Sequence, residues 1–429
     1  MSLQDLGTEA KRILVIGAGP AGMMAAIKAA ENGARVTLLE KMNRVGKKML
    51  ITGKGRCNIT NAAEIPEIIA NVPGNGVFLN SSLRAFDNQE VIRFFEDAGV
   101  PTKVERGNRV FPQSDRAADA VDAMLGKLHE MGVRLVTETA VREILVEDGR
   151  AVGARTEKGE AFYGDAVILA VGGTSYPGTG SSGDGYEMAR KLGHHVTEIL
   201  PALVPLETEE TWVKDAQGLS LRNVRVTLLA DGKKEEELFG EMMFAHFGVT
   251  GPVILSLSRK AAQLLAEGRF VELALNLKPA LSPEKLDVRV QRDFSRYVRK
   301  QLKNSLHDLL PGKLIDPVMD AAYLDPDKPV HEITQEERGR LVHALRHLML
   351  TVTRTRPLAE AIVTAGGVSV KEIHPKTMES KLVPGLYFAG EVVDVDAYTG
   401  GYNLQAAFSM GAAAGCWSVW NEYPERSGK

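Results

Sequence analysis

Two cysteines, Cys57 and Cys416, are all that the 429 residues contain. Two thiols supply neither a disulfide framework nor a cysteine-rich zinc site, so a reducing compartment is expected. A basic surplus is missing as well. The chain sets 52 Lys and Arg against 55 Asp and Glu, a net charge of −3, which argues against general nucleic-acid binding. No run reaches the ~20 apolar residues of a membrane helix. Lys11 and Arg12 precede an uncharged stretch, Ile13 to Ile27, that superficially resembles a secretory leader. Three glycines and Pro20 interrupt it, and Asp5 and Glu9 lie ahead of it. A strand and a phosphate loop explain it better, so a cytoplasmic protein is expected. Internal repeats and low-complexity tracts are also lacking. What remains is ordinary globular composition, 44% apolar and 25% charged, in a chain long enough for two or three domains.

The first 45 residues read as a β-α-β unit: a buried strand Ile13–Ile16, a tight loop Gly17–Gly22, a helix Met23–Asn32 stopped by Gly33, and a strand Ala34–Leu39 ending at Glu40. Helical spacing marks residues 88–99 and 116–131. Arg134 to Val146 and Ala151 to Lys158 read as strands joined at Asp148-Gly149, and Asp165 to Val171 as a buried strand. After Leu200 the texture changes to β-type runs, with a turn at Asp231-Gly232 and Lys233–Glu237 as a solvated hairpin edge. From Ser282 to Leu350 it is helical, with Pro283 in a first turn and Thr334 with Glu337 as a capping box. Arg289, Arg292, Arg296, Arg299 and Lys303 lie at helical spacing with acidic residues between them, which reads as a solvated face. From Thr355 the α/β texture returns. The expected organisation is a dinucleotide-binding domain at 1–197 and 355–429, interrupted by a β-rich part at 198–281 and a helical part at 282–354.

Three segments carry chemistry. In Gly17-Ala18-Gly19-Pro20-Ala21-Gly22 the first glycine permits a tight turn, the second lets backbone approach a pyrophosphate, and the third allows close helix–strand packing. The helix that follows aims its N-terminal amides at the phosphates. Glu40 lies 18 residues beyond Gly22, placed to accept both ribose hydroxyl protons and to disfavour a 2′-phosphate. Gly46 to Asn61 is glycine-rich and basic, and reads as a lid anchored by Met49, Leu50 and Ile51, with Gly53 and Arg56 facing the pyrophosphate and flavin. Cys57, lacking a C-x-x-C partner, reads as a packed thiol. The third segment, Leu386 to Gly411, ends a strand at Gly390-Glu391, continues through Asp394 and Asp396, and starts a helix at Gly400-Gly401-Tyr402-Asn403. A second helix N-terminus beside the first suits the ribityl and C2-carbonyl end of a flavin, so FAD rather than NAD is expected. The glycines of 172–180, led by Gly172 and Gly173, line the flavin or serve only as a crossover. Val141 is a further candidate cofactor contact. His246, Tyr176, Tyr398 and Arg56 are the acid–base candidates, His246 being equally readable as a structural histidine. His343 and His347 sit four apart without H-E-x-x-H or a third ligand, so no metal is expected.

These motifs resemble the bacterial BaiN-like or aminoacetone-oxidase-like NAD(P)/FAD-dependent oxidoreductases. VIGAGPAGMMAA at 15–26, GKKMLITGKGRCNITN at 46–61, FAHFGVTGP at 244–252 and GLYFAGEVVDVDAYTGGYNLQAAFSMG at 385–411 carry the resemblance, in the family's order along the chain. It implies a Rossmann-type, glutathione-reductase-like FAD domain split by a β-barrel-like part and a small helical part. It implies FAD contacts at Gly17, Gly19, Pro20, Ala21, Glu40, Lys41, Gly46, Lys48, Arg56, Cys57 and Asn58, and at Gly390, Glu391, Asp394, Gly401, Tyr402 and Asn403. The usual Gly-Asp after the last strand is Gly390-Glu391 here, which leaves either Glu391 or Asp394 to meet the ribityl chain. The expected activity is NAD(P)H-linked reduction of an activated C=C bond in a small organic substrate, NAD(P)H being a transient reductant. The alternatives are an oxygen-using oxidase of a small amine such as aminoacetone, and a flavin-containing RNA-binding or sensor protein. No membrane or stable protein partner is implied.

Overall fold

The computed structural model describes residues 10–420. The outer ends expected for the nucleotide domain, residues 1–9 with Asp5 and Glu9, and residues 421–429, lie outside them. The chain divides into two compact units, one formed by the described residues up to Ile199 and from Ile362 onward, the other by Leu200–Ala361.

The first unit is built on a five-stranded parallel sheet. Its strands are β1 (Arg12–Ile16), β2 (Arg35–Leu39), β3 (Arg134–Val136), β4 (Ala166–Leu169) and β5 (Leu386–Phe388), in the order β5-β4-β1-β2-β3. Ile13 pairs with Val36 on one side and Ala166 on the other, and Val167 pairs with Leu386. Strands covered on both faces need apolar residues throughout, and β4 and β5 are buried at every position. The run Arg134–Val146, read as one strand, is two strands in two sheets. Glu138, at φ 53°, turns the chain, so Arg134–Val136 joins β2 while Val141–Glu147 pairs with Arg150–Thr156. Asp148 and Gly149 both take positive φ, 48° and 77°, the turn that matches strand twist in a two-residue hairpin.

Two helices cross the sheet side by side: α1 (Pro20–Glu31) and α2 (Tyr402–Val419). Both are rich in Ala and Gly where they touch. A Cβ on Gly411 would stand 2.3 Å from the Ala21 carbonyl oxygen, and one on Gly415 the same distance from that of Ala25. The helices therefore meet backbone to backbone. A buried polar net locks α2 to the preceding segments: Gln405 Nε2 donates to Phe86 O at 3.3 Å and Ser409 Oγ at 2.9 Å, and Thr60 Oγ1 lies 2.5 Å from Gln405 Oε1. Elsewhere in this unit, buried His194 bridges Glu372 (Nδ1, 3.0 Å) and Ser380 (Nε2, 2.9 Å) edge-on to Phe388.

The second unit is a closed six-stranded antiparallel barrel, in the order Leu206–Thr208, Gly248–Thr250, Lys233–Ala245, Ser220–Ala230, Val271–Asn276, Leu348–Thr355. Val224, Val226, Leu228, Phe244, Leu273, Leu275 and Leu350 are wholly buried, so the interior is a packed core rather than a channel. Leu286, Val290, Leu341 and Leu345, from the helices Pro283–Arg296 and Gln335–Arg346, belong to that same core. The β-rich and helical parts read separately thus form one unit. Ser282 accepts from the Lys285 N–H at 3.3 Å, and Thr334 and Glu337 cap each other reciprocally. Of the basic series, Arg289 and Arg292 pair with Asp293 and Lys303 with Asp327. Arg299 and Lys303 lie beyond the helix end. No helix among the described residues is long and apolar enough to cross a membrane.

Substituting Gly411→Ala or Gly415→Ala forces α1 and α2 apart and is expected to cost about 1–3 kcal/mol each, read as a lower denaturation midpoint for the first unit; unchanged midpoints would contradict backbone contact. Burial pushes the His194 imidazole below its ordinary range, although Glu372 pulls it up. The folded state therefore resists its protonation. Its contribution is complete above the unfolded value of ~6.5 and is lost as pH falls below it. The fall in thermal midpoint between pH 7 and 5 is expected to be shallower in His194→Gln, and an equal slope would remove His194 from the account.

Candidate functional site

The carboxyl ends of parallel strands leave a crevice where successive connections diverge, and ligands of doubly wound folds bind there. Here four connections open onto it. After β1, Gly17 turns at φ 96° and its N–H donates to Leu39 O at 2.8 Å. A Cβ on Gly17 would stand 2.6 Å from Ala170 O, and one on Gly22 would stand 1.8 Å from Gly17 O. Both positions require glycine for packing. Gly19 differs: a Cβ there meets nothing within 4 Å, which leaves the backbone open to a ligand where α1 starts. Pro20 occupies the first turn, where its missing N–H is no loss, and the first amides of the helix have no intrahelical acceptor.

After β2 the buried Glu40 is fixed by two amides. Oε2 accepts from the Ala18 N–H at 2.7 Å and Oε1 from the Met42 N–H at 2.8 Å. Each oxygen keeps a lone pair, the acceptor chemistry that a ribose diol requires. Gly46 (φ 64°) returns the chain to the loop, donating to Ala18 O at 2.9 Å. An open glycine at a helix start, a carboxylate held in place and a glycine-lined turn fit the adenosine pyrophosphate of a dinucleotide.

The segment 46–61 is a short helix, Lys47–Ile51, followed by a tight turn. Met49 is buried but Ile51 is 46% exposed, so Met49 and not Ile51 anchors it. Gly53, Lys54, Gly55 and Cys57 all take positive φ (57°, 59°, 84° and 60°), costly for the two that are not glycine. The expectation that Arg56 faces a pyrophosphate meets a competitor in the fold. Its guanidinium lies 2.5 Å from both Glu105 and Asp115 and 4.1 Å from the centre of the Phe111 ring. Two carboxylates already satisfy that cation. Cys57 is wholly buried, and burial pushes its thiol up to about 12. It packs and carries no thiolate. Asn58 Oδ1 is buried without a hydrogen-bond partner among the described residues, 3.0 Å from where a Cβ on Gly401 would stand.

After β4, Gly172 faces Ser181, and a Cβ on Gly173 would lie 2.5 Å from Thr364 Oγ1 and 3.1 Å from Glu391 Cδ. These glycines are required by neighbouring protein. After β5, Gly390 (φ 80°) approaches Ala21. Glu391 turns inward: Oε2 accepts from Lys48 Nζ at 2.6 Å, and Oε1 from Ser175 Oγ at 3.0 Å and the Thr364 N–H at 2.7 Å. Asp394 O accepts from Asn75 Nδ2 at 2.7 Å. Gly401 (φ 98°) begins α2 with Tyr402 buried behind it. The Asn403 amide closes its own loop, accepting from the Ala397 N–H at 2.9 Å and donating to Ala397 O at 2.8 Å.

The remaining candidates scatter. Lys41 pairs with Asp184 at 2.6 Å and also bonds Ser182. Val141 is buried in the small antiparallel sheet opposite Thr156. Tyr398 is half-buried, its N–H bonded to Asn71 O at 2.9 Å. Tyr176 takes φ 51°. His246 is exposed on the barrel turn, edge-on to Phe247, with ring centres 5.0 Å apart. His343 and His347 stack at 4.6 Å, and no group of three or more metal-ligating side chains occurs among the described residues. Thr364, Asn75 and Asp184 join these segments unannounced by any motif of their own; only Thr364 has a sequence marker nearby, the pair Gly366-Gly367.

A family model described as the HI0933-like protein Rossmann domain matches residues 11–417. The chain is 33% identical over 418 residues to the 3-dehydro-bile acid delta(4,6)-reductase of Clostridium scindens, covering 94% of this chain and 98% of that protein. It is 29% identical over 397 residues to the ribosomal RNA dihydrouridine synthase of Escherichia coli, covering 92% and 95%. The fold is similar to that of 3-ketosteroid delta1-dehydrogenase from Sterolibacterium denitrificans, with a TM-score of 0.53 at 14% identity, covering 96% of this chain and all of the other.

The buried Cys57 thiol is expected to resist iodoacetamide at pH 8 in the folded protein and to react once the chain is unfolded. Modification of native protein within minutes, located at Cys57 by peptide mapping, would show an open thiolate instead.

Proposed function

Since the chain belongs to the HI0933-like Rossmann family and is an FAD-dependent oxidoreductase, we propose that it reduces an activated carbon–carbon double bond in a small organic substrate, with NAD(P)H as the electron source. The observation that carries this reading is a reaction shared by two relatives that each cover more than nine tenths of the chain. One is named a delta(4,6)-reductase of a 3-dehydro substrate and the other a dihydrouridine synthase. Both names imply saturation of a carbon–carbon double bond conjugated to a ring carbonyl, which needs a hydride at the far end of the conjugated system and a proton nearer the carbonyl.

When bound, FAD supplies hydride transfer at N5 of its ring. The chain's residues then have separable tasks. Glu40, held by the Ala18 and Met42 amides, accepts from the adenosine ribose hydroxyls. The open backbone at Gly19 and the first amides of α1 take the pyrophosphate. The start of α2, at Gly401 and Tyr402, would hold the carbonyl edge of the ring, and its positive end would favour the charge that accumulates there on reduction. Tyr398 is the proposed proton donor on this side. Arg56 is not proposed, because Glu105 and Asp115 hold it.

A small substrate is favoured over RNA by charge. Residues 200–361 carry 23 basic and 23 acidic side chains, and backbone phosphates would find no surplus to neutralise. A uracil base in RNA is the second reading, supported by the dihydrouridine synthase relatives. Mixing the FAD-loaded protein anaerobically with NADH and with NADPH is the test. Bleaching of the flavin band by one of them, followed by reoxidation on adding a conjugated cyclic enone, is expected. No bleaching by either nucleotide would remove the reductase reading, and reoxidation by a uridine-containing RNA but by no enone would install the second.

A further inference from the structure

Glu391 gathers four segments that are remote in sequence. Lys48 comes from the short helix Lys47–Ile51 after β2, Ser175 from the connection after β4, Thr364 from a short strand, Val363–Ala365, well before β5, and Glu391 from the end of β5. Besides its 2.6 Å bond to Glu391, Lys48 Nζ lies 2.6 Å from Ser175 Oγ. The side chains of Lys48 and Glu391 are 22% and 16% exposed. Burial alone would push the Glu391 carboxyl up, but Lys48, the Thr364 N–H and the Ser175 hydroxyl hold it below its ordinary range. Lys48 occupies one carboxylate oxygen and two donors the other.

Such a pair is a poor device for stability. Removing two charges from water costs several kcal/mol per ion before their attraction is regained, and apolar replacements are often as stable. Its distinctive property is electrostatic. The pair is neutral overall, yet each member is a unit charge in a weakly screened environment at the carboxyl end of β5, beside α1. At an effective dielectric near 20, a unit charge several ångströms from a developing charge changes an equilibrium by about tenfold or more.

We propose that Lys48 and Glu391 form a balanced charge pair that sets the reduction potential of the flavin held at this crevice, Lys48 favouring the reduced ring and Glu391 restraining that preference. The inference rests on the FAD site described under the proposed function. Both are positioning residues: neither needs to touch the substrate.

The test is the reduction equilibrium of the FAD holoenzyme against a redox dye at pH 8, in the wild type and in Glu391→Gln, Lys48→Met and Lys48→Arg. Glu391→Gln leaves an amide in place of the charge and is expected to shift the equilibrium about tenfold towards reduced flavin. Lys48→Met is expected to shift it towards oxidised flavin by a similar factor, and Lys48→Arg to stay close to wild type. A purely structural role would weaken FAD retention in the variants without shifts of opposite sign. Should Lys48→Met fail to hold FAD, the comparison of Glu391→Gln with Lys48→Arg decides: equal equilibria for those two overturn the inference. A wild-type protein that binds no FAD would refute the site itself, whereas a flavin-loaded wild type with unshifted variants refutes only the charge pair.

Discussion

The contact between α1 and α2 is the constraint from which the rest of the first unit follows. Gly411 and Gly415 bring the two backbones as close as carbonyl oxygens allow, against Ala21 and Ala25. Gly411 lies level with Ala21, so α2 begins about eight residues before the level at which α1 starts, and the two N-termini, nearly 400 residues apart in sequence, point the same way but are staggered by roughly 12 Å along the helix axis. The Thr60–Gln405–Ser409 net and the closure of Asn403 on Ala397 fix where α2 begins. The apolar contact thus sets the spacing of the helices, and the polar contacts set their register.

The pieces legible in the sequence are those whose physics is local. The glycine loop after β1, Glu40 at the end of β2, the Asp148-Gly149 turn and the Thr334–Glu337 box each declare themselves over a few residues. The alternation of α/β and β texture also marks the interruption of the nucleotide fold. Less legible is anything decided by a distant competitor. Arg56 reads as a free cation until Glu105, at a strand end, and Asp115, in a loop, arrive from some fifty to sixty residues away. Glu391 reads as a ligand contact, and nothing near it in sequence announces the pairing with Lys48. Gly172 and Gly173 look like a ligand-facing loop, but a Cβ on Gly173 would strike Thr364. In each case the residue type was informative and its partner was not, because spacing along the chain carries no record of tertiary pairing.

The barrel makes the same point at the scale of a unit. β-type runs at 224–230 and 238–247 predict strands, and helical spacing after Ser282 predicts helices, but neither pattern says that they share a core. Leu286 and Leu345 pack with Leu273 and Leu350. The barrel interior is filled by apolar side chains of strands and helices alike.

The order of strands in the sheet has a consequence for how the protein comes into being. β1, β2 and β4 are synthesised early, but the crevice lacks a wall until β5 and α2 follow, after the whole of the barrel unit. Domains form as they leave the ribosome, earliest segments first. The barrel unit, contiguous in sequence, closes its core while the sheet ahead of it still exposes the edge of β4 that β5 will cover. During that interval the apolar flank of β4 and the small-residue face of α1 stand open to the nascent chain's surroundings. The part of the crevice walled by β5 and α2 is therefore complete only after translation has passed residue 402.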